Sequence, residues 1–235
     1  MVNNDPYDVP HMSDIRVLMV GPSIYRTKGG IATVISGFID NESNPSIKFK
    51  HVASHVEGSM LEKLMVILKA FITIIMQYDK FDIMHVHIAS DISIYRKSLF
   101  IYLGLLLNKK VVAHVHGGDF DTYYNRSSPI AKYYIKKTLL RSHKIIVLSE
   151  HWKKFFYRQI SKSNVEVIHN GIRVDEVISQ HTASAKFSNF LFLGKLVKTK
   201  GVYDLLKAVN ILVHRDGFSN LQFFVAGNGD LDEVK

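Results

Sequence analysis

Cysteine is absent from this chain of 235 residues. Its absence excludes disulfide bonds, catalysis by a thiolate and zinc sites with cysteine ligands. A long apolar run is also missing. The longest, residues 64–76, is interrupted by Lys69 and is shorter than the roughly 20 residues that span a bilayer. Residues 1–14 lack the basic-then-apolar order of a signal peptide. The sequence therefore predicts a cytoplasmic protein without a membrane-crossing segment.

Acidic residues are fewer than basic ones, 21 against 30, so the net charge is +9. A chain this basic is expected to attract polyanions, which leaves nucleic acid, phosphorylated substrates and anionic lipid as candidate partners. No recognised nucleic-acid-binding motif accompanies the charge, and we therefore expect no nucleic acid partner. The shares of hydrophobic and charged residues, 47% and 22%, are typical of a globular domain.

Short apolar runs alternate with stretches of helical spacing along most of the chain. This alternation predicts an α/β fold with a parallel sheet covered by helices on both faces. Asp91 and Ser149 are candidate helix caps, and Pro129 suits a first helical turn. The predicted strands are 15–20, 47–53, 81–86, 110–115, 144–148 and 165–168, and the predicted helices are 30–39, 61–78, 92–107, 129–142 and 150–159.

The pattern changes after Asn170-Gly171-Ile172, where a polar stretch at 179–186 precedes a second strand–helix–strand unit. We predict an N-terminal lobe at 1–175, a linker at 176–186 and the start of a second lobe at 187–235. The second unit consists of a strand at 187–193, a helix at 202–213 and a strand at 221–226. Because one such unit cannot bury both faces of a sheet, we expect the rest of this lobe to lie beyond Lys235.

Two positions in the chain suit a phosphate group. Gly194, Lys195 and Lys200 lie between a strand and a helix, where unpaired backbone N–H groups and the helix dipole favour an anion. Gly29 and Gly30 stand at the start of the first helix in the same relation to its strand. One such position in each lobe suggests a ligand held between the lobes.

Four histidines, His85, His87, His114 and His116, alternate along two predicted strands. Alternation places each pair on one face of the sheet, near the carboxyl ends where ligands bind in open α/β folds. The spacing also suits a metal ion, but no carboxylate completes a first coordination shell, so we predict no metal. His85, His87 and His114 are interpreted as packing or orienting residues.

Several short motifs follow one another in a fixed order, and together they resemble the retaining glycosyltransferases of family 4, which have the GT-B fold. The resemblance covers nearly the whole chain. Its motifs are Gly29-Gly30, the segment from His114-Val115-His116-Gly117 to Gly118-Asp119-Phe120, Ser149-Glu150, Asn170-Gly171-Ile172, Gly194-Lys195 with Lys200-Gly201, and Ala226-Gly227-Asn228-Gly229.

The resemblance implies two facing Rossmann-like, doubly wound lobes with a nucleotide sugar in the cleft. Lys195 and Lys200 would hold the donor diphosphate, and His116 would be the cleft histidine; these three are the predicted catalytic residues. Fixed cations at the departing diphosphate stabilise the transition state more than the ground state. No cofactor is implied. The predicted donor- or acceptor-binding residues are Gly29, Gly30, Gly117, Asp119, Gly194, Gly227 and Gly229, with Asp119 alternatively serving only as a helix cap.

The implied activity is transfer of a hexose, with retention, from a nucleotide diphosphate donor to a hydroxyl of a glycan or lipid-linked acceptor. This reaction belongs to polysaccharide or cell-envelope glycan biosynthesis. The family's Glu-x7-Glu donor segment would lie beyond Lys235, so we expect the 235 residues alone to be inactive. The alternative is a non-catalytic subunit that binds an acceptor or a membrane. A dinucleotide-dependent oxidoreductase is excluded, since no Gly-x-Gly-x-x-Gly follows the first strand.

Two predicted helices bear on the location of the protein. The helix at 61–78 is apolar nearly all round, which ordinarily means deep burial. The helix at 129–142 carries Lys132, Lys136 and Lys137, followed by Arg141, among aromatic residues. These cations form either a solvated face or a docking surface for an anionic membrane. The expected location is therefore cytoplasmic, with a peripheral position on the inner face of the membrane as the second reading.

Overall fold

The chain divides into two compact units, Met1–Asp175 and Glu176–Lys235. The structure, a computed structural model, describes residues 14–27, 29–40, 44–160, 164–171 and 189–229. The predicted linker at 176–186 lies outside the described residues.

The first unit is built on a six-stranded sheet in which every strand pairs in parallel with its neighbours. The strand order is β2-β1-β3-β4-β5-β6, so the chain reverses its direction of travel across the sheet between β1 and β3. Ligands of open α/β sheets bind beyond the carboxyl ends of the strands at such a point. The strands are β1 (Ile15–Pro22), β2 (Ile47–His55), β3 (Ile83–Ile88), β4 (Lys110–Val115), β5 (Lys144–Val147) and β6 (Val165–Val167).

Six helices connect the strands of this unit, and their bounds agree with the predicted ones to within two residues where a helix was predicted. The exception is the short helix α4, which the sequence reading missed. The helices are α1 (Gly30–Asp40), α2 (Met60–Met76), α3 (Ser93–Leu106), α4 (Phe120–Arg126), α5 (Pro129–Leu140) and α6 (Glu150–Gln159).

Side-chain caps begin several of these helices. The Ser149 hydroxyl accepts a hydrogen bond from the Trp152 N–H, and Pro129 occupies the first turn of α5, so both predictions are confirmed. The prediction for Asp91 is wrong. Ile92 occupies the cap position of α3, and Asp91 precedes it with a left-handed φ of 65°. Asp119 occupies the cap position of α4, but its side chain makes no capping hydrogen bond.

The core lies on both faces of the sheet. Val17 and Met19 of β1 pack with Ile35 of α1 on one face. Leu18 and Val20, the alternate residues of β1, belong to the larger cluster that includes residues of α2, α3, α5 and α6. Successive side chains of a strand point to opposite faces, so one short apolar strand serves both clusters.

Helix α2 is not buried as its composition suggested. Only Ala70 and Ile74 are fully buried, and they face the sheet. Eight large apolar side chains are at least half exposed: Met60, Leu61, Leu64, Met65, Leu68, Ile72, Ile75 and Met76. A helix packed on a sheet buries only the side that faces the sheet. The other side of α2, formed by these eight residues, is apolar and exposed.

The second unit contains two parallel strands, β7 (Asn189–Leu193) and β8 (Gln222–Ala226). Between them run a 3-10 turn (Lys198–Lys200), helix α7 (Val202–Asn210) and a π-helical turn (Ile211–Arg215). This is the predicted strand–helix–strand unit. Within the described parts of both units, none of the helices has the length and apolarity that crossing a membrane requires.

Candidate functional site

A cavity of about 260 Å³ lies at the carboxyl edge of the first unit's sheet, beside the point where the strand order reverses. Pro22 ends β1, His55 ends β2, and His87 lies near the end of β3. The first turns of α1 and α3 complete the wall. The lining residues are Pro22, Thr27, Gly29, Gly30, Ile31, Ala32, His55, His87, Ala89, Ser93, Arg96 and Lys97.

Gly29 and Gly30 lie at the N-terminal end of α1, as predicted. The carbonyl of Gly29 accepts a hydrogen bond from the Thr33 N–H at 3.2 Å, so the helix begins here. A Cβ atom on either glycine would meet no atom within 4 Å. Their lack of side chains therefore leaves open space beside the cavity, next to the backbone N–H groups of a first helical turn. Their role in binding stays a prediction.

The four predicted histidines form one stack at this edge. His87 of β3 and His114 of β4 are paired in register, so the alternating histidines of the two strands lie side by side. The Nε2 of His85 lies 3.1 Å from the Nδ1 of His114, and the Nδ1 of His87 lies 2.9 Å from the Nε2 of His116. Each distance allows one shared proton per pair, so each ring uses one nitrogen within the stack as a neutral imidazole. The Nε2 of His87, the Nε2 of His114 and the Nδ1 of His116 are buried without a hydrogen-bond partner among the described residues.

Burial keeps these imidazoles neutral. It lowers the pKa of His85 and of His116 to about 4, and that of His114 to about 2. The pKa of His87 is also held well below its ordinary value, first by burial and then by the neighbouring histidines and Lys97. Desolvation disfavours the charged form, and each protonated ring would repel the others. Near neutral pH the stack is therefore uncharged.

Three of these residues, His85, His87 and His114, place ligand nitrogens within 4.8 Å of one another. Such a group of imidazoles is close enough to hold a transition-metal ion. The pairing described above uses one nitrogen of each ring, and no Asp or Glu belongs to this group of ligands. The absence of a bound metal stays a prediction.

His116 follows β4 and is half-buried. The nearby side chain of Asn170 opposes the lowering of its pKa by burial. The structure thus brings together two motifs that are 54 positions apart in the sequence. Gly117 is explained by close backbone packing, because a Cβ there would lie 2.3 Å from the backbone nitrogen of Ser90. Asp119 is exposed, and its carboxylate is available for other partners.

The sequence reading missed Arg96 and Lys97. Lys97 is 2% exposed, and its Nζ donates to the Ser54 hydroxyl and, at 3.5 Å, to the Val20 carbonyl. Burial and, secondly, the Arg96 charge hold the pKa of Lys97 well below its ordinary value. A signal existed in the sequence: helical spacing from Ser93 and Ile94 places Lys97 on the core stripe of α3.

The predicted residues of the second unit lie on its two loops. Gly194 and Lys195 follow β7 directly, and Lys200 ends the 3-10 turn before Gly201, which takes a left-handed φ of 81° at the start of α7. Both lysines are exposed. A Cβ on Gly227 would lie 1.7 Å from the Gly194 carbonyl oxygen. Gly229 approaches the backbone of Leu196 in the same way. These glycines let the loops after β7 and β8 run side by side.

Two solved structures superpose with this chain over most of its length. A sucrose-phosphate synthase from Thermosynechococcus elongatus superposes with a TM-score of 0.59 at 14% identity, over 93% of this chain and 63% of its own. The crystal structure of TarM gives a TM-score of 0.53 at 11% identity, over 94% of this chain and 73% of its own. At these identities the likeness shows the fold alone. The predicted GT-B class of α/β fold is confirmed.

The family model for Glycosyltransferase Family 4 matches residues 38–176, which is more than half of the chain. The chain belongs to Glycosyltransferase Family 4. It spans 63% of the length of the sucrose-phosphate synthase that it resembles. No curated protein matches the chain by sequence. The family prediction is confirmed, while the retaining mechanism stays a prediction.

Proposed function

We propose that this protein transfers a hexose, with retention, from a nucleotide diphosphate donor to a hydroxyl of a glycan or lipid-linked acceptor. The reaction would belong to polysaccharide or cell-envelope glycan biosynthesis. The observation that carries the proposal is the family match over residues 38–176, a range that contains His116 and Asn170.

The second unit supports the donor part of this proposal. Lys195 and Lys200 are exposed cations, and Lys200 lies two residues before the first residue of α7. The unpaired N–H groups of a first helical turn and two nearby ammonium groups suit a diphosphate that leaves with negative charge. In the proposed reaction, these groups would stabilise the developing charge on the diphosphate.

The test uses the protein produced from its complete gene, incubated with a panel of nucleotide diphosphate sugars and with glycan or lipid-linked acceptors. Release of nucleoside diphosphate that depends on the acceptor would support the proposal, and proton NMR of the product would give the anomeric configuration. Donor consumption with an inverted product would refute retention. No transfer with any donor, in a folded protein that binds acceptor, would favour the non-catalytic subunit.

The acceptor would be reached at an anionic membrane surface. The net charge of +9, the cations of α5 and the exposed apolar stripe of α2 all suit a peripheral position on such a surface. Lipid-linked acceptors are found there, so docking would bring enzyme and acceptor into the same plane.

A further inference from the structure

The cavity of the first unit is lined by hydrogen-bonding groups that lack partners. Four of its residues each carry a buried polar atom without a hydrogen-bond partner in the described part of the chain. These atoms are the Thr27 Oγ1, the His55 Nδ1, the His87 Nε2 and the Arg96 Nε. A buried polar atom without a partner is costly, so four of them in the residues of one cavity wall point to a ligand that supplies the missing partners.

Charge around the cavity is of one sign. Arg96 and Lys97 both line it, and no Asp or Glu among the described residues does. The described ion pairs include neither cation. Glu57 is the one acidic group that acts on His55, and it is opposed there by Arg96, Lys97 and Lys63. A buried lysine without a carboxylate is expensive, and a bound anion is the partner that would offset this cost.

The types of group indicate the chemistry of the ligand. Arg and Lys side chains only donate hydrogen bonds, and the first-turn N–H groups of α1 beside Gly29 and Gly30 are donors as well. A ligand that satisfies several donors at once must offer several acceptor atoms. An oxyanion does this, and it also matches the two cations and the helix N-terminus.

The size of the cavity limits what can enter. Its volume of about 260 Å³ is below the ~300–1,000 Å³ of pockets that hold drug-sized ligands. The cavity is therefore of a size for one charged sugar residue rather than for a whole nucleotide sugar. The next step rests on the proposed function, in which Lys195 and Lys200 of the second unit hold the donor diphosphate. The group held in this cavity then belongs to the acceptor.

We propose that Arg96 and Lys97 form an oxyanion site that recognises a phosphate or carboxylate on the acceptor glycan. Arg96 offers its Nε–H and the fork of its guanidinium. Lys97, held in place by Ser54 and the Val20 carbonyl, supplies a second donor whose charged form a bound anion would favour. His55 and Thr27 complete the contacts. The acceptor class is therefore an acidic or phosphorylated sugar rather than a neutral one.

Isothermal titration calorimetry of the 235-residue chain tests this site with inorganic phosphate, D-glucuronate, pyrophosphate and neutral D-glucose, at an ionic strength held constant with sodium chloride. We expect phosphate, glucuronate or both to bind and glucose not to bind. Arg96→Gln should weaken that binding by about tenfold, the loss of one charge-assisted hydrogen bond. Lys80→Gln, in the exposed 3-10 turn after α2, is the matched control and should bind like the unmodified chain.

Lys97→Met keeps the volume of the side chain and removes its charge, and it should also abolish binding. If circular dichroism shows that this variant does not fold, Arg96→Gln decides the matter, because Arg96 is only half-buried. Equal binding of glucose and glucuronate, or unchanged binding by Arg96→Gln, would overturn the site. Binding of pyrophosphate alone would assign the cavity to the donor and overturn the acceptor assignment.

Failure of the site and failure of the proposed function are distinguishable. Efficient sugar transfer to a neutral acceptor by a protein that binds none of these anions would refute the site and leave the proposed function standing. Anion binding that depends on Arg96, in a protein that transfers no sugar, would refute the transferase and leave an anion site without its acceptor.

Discussion

Lys97 occupies a core position of α3, yet it carries an amino group to the wall of a cavity. The same spacing that buries Ile94, Phe100 and Ile101 buries Lys97 with them. An apolar side chain at that position would stabilise the protein more than a lysine does, because burial removes the hydration of the amino group. Ser54 and the Val20 carbonyl offset part of the loss. In the proposed anion site, the bound ligand would offset the rest.

Removing the Lys200 ammonium should impair sugar transfer. In the protein from its complete gene, Lys200→Ala is expected to lower kcat/KM by the equivalent of about 2–4 kcal/mol, the scale of a lost oxyanion donor. Lys198→Ala, in the same exposed 3-10 turn, is the matched control. If kcat/KM of Lys200→Ala stays within about threefold of the unmodified enzyme, a difference under ~1 kcal/mol, Lys200 is only a surface residue.

The histidine stack predicts a loss of stability in mild acid. The folded-state pKa of His85 and of His116 is about 4, below the 6.5 of an unperturbed histidine. Between these values the unfolded chain binds more protons than the folded one, so the free energy of unfolding falls as the pH drops from 6.5 towards 4. Each of the two histidines contributes up to about 1.4 kcal/mol per pH unit within that window and nothing above it.

Urea denaturation at pH 7.5, 6 and 5 measures this dependence. His85→Gln, which keeps a hydrogen-bonding group beside His114, should lose stability less steeply with falling pH. His151→Gln, a change at an exposed residue, is the control and should follow the unmodified chain. A free energy of unfolding that is constant from pH 7.5 to 5 would show that the four imidazoles are not held neutral by burial.

At the scale of the element, α2 shows what helical composition leaves open. Its capping box, in which Ser59 and Glu62 exchange hydrogen bonds, begins the helix, and Ala70 and Ile74 attach it to the sheet. The opposite side is apolar and exposed, whereas surface helices normally carry polar residues there. Exposed apolar patches of this kind mark interaction surfaces.

A charge placed on that exposed stripe should prevent docking without unfolding the protein. Leu68→Glu is expected to reduce sedimentation with vesicles of phosphatidylserine and phosphatidylcholine, because a carboxylate cannot enter the apolar layer and is repelled by anionic lipid. The half-exposed position should tolerate the change, which circular dichroism would verify. Lys69→Glu, at the next residue on the edge of the stripe, makes the surface more negative without removing an apolar contact. Comparing the two variants separates electrostatic repulsion from the loss of apolar insertion. Unchanged sedimentation of Leu68→Glu would remove α2 from the docking surface.

At the scale of the whole molecule, the excess of basic residues predicts binding that depends on salt and on lipid charge. Each cation near an anionic surface contributes about 1 kcal/mol, and the attraction fades as salt shortens the Debye length. We expect sedimentation with anionic vesicles at low salt, loss of it at high salt, and a reduction when Lys132, Lys136, Lys137 and Arg141 are all changed to Gln. Equal binding to neutral and anionic vesicles would contradict the electrostatic part of the account.

Local patterns in the sequence determined where the strands and most helices lie along the chain. Each of these elements depends on apolar periodicity and on caps such as Ser149, which are recorded within a few residues. The motifs that resemble Family 4 could be recognised for the same reason, because each is a short contiguous segment. Helix α4 was missed, since it is short and Asp119 gives it no side-chain cap. Asp91 was misread as a cap, because Ile92 holds that position.

Only the tertiary structure decided which residues share a site. Parallel pairing of β3 with β4 set His87 beside His114, and the reversal between β1 and β3 opened a cavity between α1 and α3. Arg96 and Lys97 reach that cavity from a helix whose first turn begins more than 60 positions after Gly29 and Gly30. Periodicity tells which side of an element is buried against its own sheet. The proposed ligand at Lys97 and the proposed partner surface at α2 depend on contacts between distant segments. No local pattern records such contacts.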